Sequence, residues 1–116
     1  MIAVIFEGWT DAAHSGDYLD LAAQLRPLLD DMPGFISVER FQSLGDPEKL
    51  LSLSFWQGEA AVAAWRNTAE HRTAQALGRA GVFRDYRIRV AEVFRDYGLG
   101  DRADAPPDSK AAHARA

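Results

Sequence analysis

The sequence predicts one α+β domain with the ferredoxin-like order β-α-β-β-α-β. Four short stretches alternate apolar and polar residues as strands do, and two longer stretches carry apolar residues at helical spacing. A Gly-Asp-Pro turn joins the two middle strands. Crossover helices between strands that are not neighbours place both helices on one face of the sheet, so the other face is left uncovered.

The chain is predicted to begin with a strand and a helix. The strand, Ile2–Trp9, has apolar residues on both faces and Glu7 as its only charge. After a polar loop, Asp17 is the expected N-cap of the helix. Pro27 predicts a kink or a loosened last turn because it cannot donate a backbone hydrogen bond. The stripe that this helix buries comprises Tyr18, Leu21, Ala22, Leu25, Leu28 and Leu29.

The two middle strands are predicted to pair as an antiparallel hairpin. Residues 35–44 alternate in polarity, and the turn at 45–47 leads into a strand that ends at Trp56. One face of that strand carries Leu51, Leu53 and Phe55, and the other carries Ser52, Ser54 and Trp56.

A second helix is predicted from Glu59 to near Gly78, because strong helix formers follow an acidic first turn. One side of it is apolar at its start and polar at its end. That pattern fits a helix that walls a pocket, and it equally fits a helix that only covers the core. The side comprises Ala61, Ala64, Trp65, Thr68, His71, Arg72, Gln75 and Arg79.

The last predicted strand spans residues 86–94, where Tyr86 and its apolar partners alternate with arginines. The folded domain is therefore placed at residues 1–100. Residues 101–116 lose all periodicity and consist largely of Ala, Asp, Arg and Pro, so they are predicted to form a disordered tail.

Composition narrows the function classes. The 116 residues carry a net charge of −4 without a basic block, which argues against a nucleic-acid partner. There is no cysteine, which excludes disulfides, thiolate metal sites and a cysteine nucleophile. The apolar stretch at residues 2–6 is too short for a membrane span, so a cytoplasmic protein without a membrane partner is expected.

The uncovered sheet face predicts a homodimer. Its candidate residues include Trp9, Phe41 and Phe55. Leaving apolar surface in water costs about 25 cal/mol per Å². A second copy of the chain, packed sheet against sheet about a two-fold axis, is the simplest cover.

Several passages resemble the antibiotic biosynthesis monooxygenase (ABM) domain of the dimeric α+β barrel superfamily, over residues 2–97. They are Pro33-Gly34-Phe35 before the second strand, Leu53-Ser54-Phe55-Trp56 with Trp65 nine residues later, and the blocks 64–75 and 86–93. The resemblance implies a homodimer whose sheets close into a barrel, with a pocket between helices and sheet in each subunit. It also implies oxidation of a small aromatic, phenol- or quinol-like substrate with O₂ and without a cofactor.

The resemblance also assigns roles to the polar end of the second helix. Trp65 and Phe6 would stack on a flat substrate, and His71 would take a phenolic proton. A developing oxyanion would be held by Gln75, Asn67 or Arg72. His71 and Gln75 are thus the catalytic candidates, and Trp65, Phe6, Asn67 and Arg72 are the substrate-binding ones.

Two alternatives remain open at this point. Haem-degrading relatives carry an Asn on the first strand and a His ten residues after the helix Trp, whereas this chain has Phe6 and Glu7 on that strand and Gln75 at the tenth position. Haem degradation is therefore less favoured, and we expect no metal, haem or flavin. The other alternative is a non-catalytic, dimeric ligand-binding or stress-response domain with the same fold.

Overall fold

A computed structural model describes residues 1–11 and 13–114 of the chain. A short turn of π type spans Gly78–Val82, directly after the helix that ends at Leu77. The strands and helices are β1 (Ile2–Trp9), α1 (Ser15–Asp30), β2 (Phe35–Gln42), β3 (Lys49–Trp56), α2 (Glu59–Arg66), α3 (Ala69–Leu77), β4 (Asp85–Glu92) and α4 (Pro107–Ala112).

The four strands form one sheet in the order β2-β3-β1-β4. Every neighbouring pair is antiparallel, and β1 in the centre places Phe6 between Ser52 of β3 and Ile88 of β4. Non-consecutive strands are therefore neighbours, as the crossover helices require. The predicted ferredoxin-like topology is confirmed, including the β2–β3 hairpin.

The hydrophobic core lies between the helices and one face of the sheet. Its buried centre joins Leu29 of α1, Trp56 of β3 and two residues of α2, Val62 and Trp65. Trp56 is 2% exposed, and its indole N–H donates to Ser54 Oγ at 3.0 Å, which satisfies the buried donor. Apolar residues from the sheet and from α1 pack around this centre: Ile2, Val4, Leu25, Met32, Phe35 and Val38.

The opposite face of the sheet combines apolar side chains with a cluster of charges. Because side chains alternate along a strand, Leu53 and Phe55 lie on this face, beside their β1 partners Ile5 and Ala3. Glu7 forms ion pairs there with Lys49, at 2.6 Å, and with Arg89. The hydrogen bond from Lys49 is the main reason that the pKa of Glu7 is lowered. This face is the one that the sequence leaves uncovered.

Two helix boundaries differ from the sequence prediction. The first helix begins at Ser15, so Asp17 lies in its first turn and is not its N-cap. The predicted second helix is divided into α2 and α3 by a break at Asn67 and Thr68. The side-chain hydroxyl of Thr68 hydrogen-bonds to the backbone of Trp65 and of His71, and these bonds compete with the regular backbone hydrogen bonds of a helix. The apolar residues keep helical spacing across the break, although the backbone hydrogen bonds of the helix are interrupted there.

The C-terminal segment also differs from the prediction of disorder for residues 101–116. Pro107–Ala112 form α4, with a proline in the first turn and an acid, Asp108, beside it. Before it, Asp104 Oδ2 accepts the Asp96 backbone N–H at 3.2 Å, and Ala105 is 3% exposed. The proline and the acid at the start of α4 favour a helix although this segment has few large apolar residues. Residues 115–116 of the predicted tail lie outside the described range.

Candidate functional site

The junction between α2 and α3 places an indole beside an imidazole. Trp65 lies in the last turn of α2 and His71 in the first turn of α3. Thr68 links them: its hydroxyl donates to the Trp65 carbonyl at 2.9 Å, and its Oγ1 accepts the His71 backbone N–H at 3.2 Å. Thr68 therefore acts as the N-cap of α3 and holds the backbone of His71 in the first turn of that helix.

The imidazole of His71 packs against Trp65. The two ring centroids are 5.0 Å apart with the planes tilted by 46°. Within residues 1–11 and 13–114, the buried Nδ1 of His71 has no hydrogen-bond partner. Burial lowers the pKa of His71, and the positive charge of Arg72 lowers it further. His71 is therefore neutral at neutral pH, and its buried Nδ1 is not engaged by any other described residue.

The remaining polar candidates form a network on the exposed side of the same junction. Arg72 donates from Nη2 to Asn67 Oδ1 at 2.6 Å and from Nη1 to Gln75 Oε1 at 2.9 Å. Asn67 also donates from Nδ2 to the Ala63 carbonyl at 2.8 Å, which caps the end of α2. The structure thus brings Asn67, Arg72 and Gln75 together, with both amide oxygens already engaged by the arginine.

Phe6 lies in a separate aromatic cluster and not against Trp65. Its ring centroid is 6.4 Å from Tyr18, 5.2 Å from Phe83 and 5.8 Å from Tyr86. Val4 packs against the core cluster that contains Trp65, and Phe6 is two residues, or about 6.6 Å, further along β1.

Three members of this aromatic cluster were not among the predicted site residues. Tyr18 belongs to the buried stripe of α1, Phe83 follows the π turn, and Tyr86 is the second residue of β4. Alternation does place Tyr86 in a strand, but only the register between β1 and β4 shows that it stands close to Phe6. Gly8 makes room for Phe83, because a Cβ on Gly8 would lie 2.8 Å from the Phe83 ring.

The surface has two grooves, one beside the aromatic cluster and one beside α2. A groove of about 250 Å³ borders the aromatic cluster and is lined by Arg79, Phe83, Arg84, Asp85 and Tyr86. A larger one, of about 390 Å³, is lined by α2 residues and Val90 of β4, and neither His71 nor Gln75 belongs to its lining. In the described part of the chain, no group of three His, Asp or Glu side chains has the arrangement of a metal site. No helix there is long and apolar enough to cross a bilayer.

The lowered pKa of His71 predicts a pH-dependent stability. Below its ordinary pKa of 6.5, the unfolded chain binds a proton more readily at this residue than the folded chain does. The contribution of His71 is therefore present above pH 6.5 and is lost as the pH falls through the folded-state pKa.

We expect urea unfolding at pH 7 and pH 5 to show a larger loss of stability for the parent than for His71→Gln. His113→Gln, at an exposed position after α4, serves as the control and should behave as the parent does. An equal pH dependence in the parent and His71→Gln would contradict the assignment.

Comparison with known proteins identifies the family to which the chain is similar. The sequence profile described as "Antibiotic biosynthesis monooxygenase" matches residues 1–77. Jasmonate monooxygenase ABM of Pyricularia oryzae is 46% identical over 93 residues, which cover 80% of this chain and 43% of that protein. The chain therefore spans less than half the length of that relative. An uncharacterised Bacillus subtilis protein, YqjZ, is 32% identical, with 80% of this chain and 79% of that protein covered.

Solved structures show the same fold at low sequence identity. A Deinococcus radiodurans structure assigned to the antibiotic biosynthesis monooxygenases has a TM-score of 0.77 at 14% identity, covering 85% of this chain and 98% of that one. Rv0793 of Mycobacterium tuberculosis has a TM-score of 0.75 at 13% identity, covering 84% and 98%. Because the profile matches well over half of the residues, the chain belongs to the antibiotic biosynthesis monooxygenase family.

Proposed function

We propose that this chain is a monooxygenase that oxidises a small aromatic, phenol- or quinol-like substrate with O₂ and needs neither metal nor flavin. The observation that carries the proposal is the neutral His71, whose Nδ1 is buried beside Trp65 without a partner in the described part of the chain. A histidine that removes a phenolic proton must be neutral and must lie within hydrogen-bond reach of the bound phenol. Family membership supports the reaction type.

The proposed reaction uses electrons from the substrate. His71 removes a proton from the phenol, and the resulting electron-rich anion transfers electrons to O₂. With an anthrone, one oxygen atom becomes the new carbonyl oxygen as the methylene carbon loses two hydrogens, and the other oxygen atom leaves as water. The indole of Trp65 would hold the flat substrate and exclude water from the anion.

The name of the Pyricularia oryzae relative supports monooxygenation without fixing the substrate. That protein is named a jasmonate monooxygenase, and this chain spans 43% of it. A direct test of the proposal is O₂ consumption by the purified chain with an anthrone or a quinol, analysed for the oxygenated product. Product formation above the rate without protein would support the proposal.

A ligand-binding domain without catalysis is the second candidate. One observation favours it: Arg72 already occupies Asn67 Oδ1 and Gln75 Oε1, and its own guanidinium is held by them. These groups would then shape a pocket instead of stabilising an oxyanion. A parent protein that binds such aromatics but produces no oxygenated product would favour this candidate.

We also propose that the chain functions as a homodimer joined through the uncovered sheet faces. The face offers Leu53, Phe55 and Phe41, and Phe41 is 41% exposed. Two copies packed about a two-fold axis would remove this surface from water. The Glu7 ion pairs with Lys49 and Arg89 would lie within the same interface.

Sedimentation at micromolar concentration should give about twice the 12.8 kDa chain mass. Leu53→Asp, which places a carboxylate on the apolar face, should yield monomer or aggregate. Leu44→Asp, in a fully exposed turn, is the matched control and should leave the dimer intact. A folded, monomeric parent would refute the proposed dimer.

A further inference from the structure

We propose that the substrate of this protein carries a carboxylate, which Arg79 receives at the edge of the aromatic cluster. This inference rests on the proposed function and names its substrate class: an aromatic acid with an oxidisable hydroxyl at its other end. It arises from the groove beside Phe83 and Tyr86, which the predicted site did not include.

Arg79 has free hydrogen-bonding capacity. Its Nη1 donates to the Tyr86 hydroxyl at 3.1 Å. Among the described residues, no carboxylate oxygen lies within 4.0 Å of its guanidinium, whereas Arg26 and Arg89 each pair with an acid. A guanidinium has five N–H donors in a planar fork, so most of those of Arg79 remain for a ligand, and a carboxylate is the group that such a fork binds in a bidentate manner.

The surroundings of Arg79 fit the apolar part of such a ligand. The groove of about 250 Å³ has the rings of Phe83 and Tyr86 in its lining, and these two ring centroids are 6.4 Å apart. Phe6 and Tyr18 continue the aromatic surface inward, since the Phe83 ring is 5.2 Å from Phe6 and 5.1 Å from Tyr18. A groove that places two aromatic rings beside a guanidinium, with no acidic partner for it among the residues that the structure describes, can hold a small aromatic anion.

The other charges in the groove favour a singly charged group. Arg84 pairs with Glu48 at 3.5 Å, and Asp85 Oδ1 accepts the Tyr86 backbone N–H at 2.9 Å. Asp85 belongs to the groove lining and Glu48 offsets the charge of Arg84, so a dianion such as phosphate would meet repulsion that a carboxylate meets only in part. The local charge therefore suits a monocarboxylate better than a phosphate.

The spacing along the helix sets the distance between this groove and the proposed base. His71, Gln75 and Arg79 follow one another at intervals of four residues, which places them in one row along α3 and the π turn. Eight residues at a rise of 1.5 Å separate His71 from Arg79 by about 12 Å. A ligand that reaches both would have its hydroxyl and its carboxylate at opposite ends of two or three fused rings.

The test compares two probes of equal shape, 6-hydroxy-2-naphthoate and 6-hydroxy-2-naphthamide, by calorimetric titration of the purified 116-residue chain at pH 7. We expect the parent to bind the carboxylate about 10- to 100-fold more tightly than the amide, the range for hydrogen bonds to a charged group. Arg79→Gln should abolish this preference, chiefly by weakening the binding of the carboxylate. Arg95→Gln, on a residue that contacts Phe94 and Asp104 and not the groove, should retain it.

Equal affinity of the parent for both probes, no binding of either, or a preference that survives in Arg79→Gln would overturn the inference. Circular dichroism of each variant checks that the fold is retained. Because the assay measures binding and not turnover, it distinguishes this inference from the proposed function. An active oxygenase without carboxylate preference would refute only the inference, and a carboxylate binder that oxidises no aromatic would refute only the proposed reaction.

Discussion

Replacing Trp65 by alanine should lower the free energy of unfolding by about 3–5 kcal/mol, the range for deleting a large core aromatic side chain. Trp65 is 8% exposed and packs in the core with Leu29, Trp56 and Val62. Removing it leaves a cavity where α2 meets the sheet, and the helices can collapse into that cavity only in part. The same change removes the surface on which the His71 ring rests.

Urea unfolding at a fixed protein concentration measures this effect, since the midpoint of an associating protein depends on concentration. Phe94→Ala is the matched control, because Phe94 is 86% exposed and its loss should change stability by about 0.5 kcal/mol or less. A loss below about 1 kcal/mol for Trp65→Ala would show that the core does not depend on this residue.

The sequence was sufficient for the strands and their order, but not for which alternate set of strand side chains faces the helices. The alternation in β3 separates Trp56, which is buried under the helices, from Leu53 and Phe55 on the other face. This works because a two-residue period assigns each side chain to a face once the helices are known to cover one of them. The helical spacing likewise brought Trp65 and His71 to the same side.

The aromatic cluster could not be predicted in the same way, because it depends on contacts between distant segments. Tyr18, Phe83 and Tyr86 come from α1, from the loop after the π turn and from β4, and only the β1–β4 register brings them to Phe6. The positive φ of Gly81, 141°, kinks the chain within the π turn, two residues before Phe83. The periodicity of residues within one helix or strand does not show which residues of distant segments are in contact.

The break between α2 and α3 was missed for a related reason. Residues on both sides keep the same helical spacing, so the pattern reads as one helix. Thr68 interrupts it by exchanging hydrogen bonds with Trp65 and His71, and Asn67 caps α2 through the Ala63 carbonyl. Side-chain capping by Asn and Thr within a long apolar pattern was the available signal.

Replacing His71 by alanine should lower turnover of an anthrone- or quinol-like substrate by about 10²-fold, the low end for loss of a general base. The reason is that Nδ1 of His71 is the buried nitrogen that lacks a partner among the described residues and lies beside the Trp65 indole. Gln75→Ala is the informative companion, because its amide oxygen is held by Arg72 and its loss tests oxyanion binding without removing a base. His14→Ala, at an exposed residue paired with Asp11, should leave turnover unchanged.

The pH profile of the parent provides an independent check on the same residue. Only neutral imidazole accepts a proton, so activity should rise with pH through the pKa of His71. Burial lowers that pKa, so the rise should be centred below 6.5 and should disappear in His71→Ala. If the parent oxidises the substrate and both His71→Ala and Gln75→Ala retain its rate, the base lies elsewhere in the pocket. If the parent oxidises no such substrate, the neutral His71 beside Trp65 serves to bind a ligand, and the non-catalytic alternative follows.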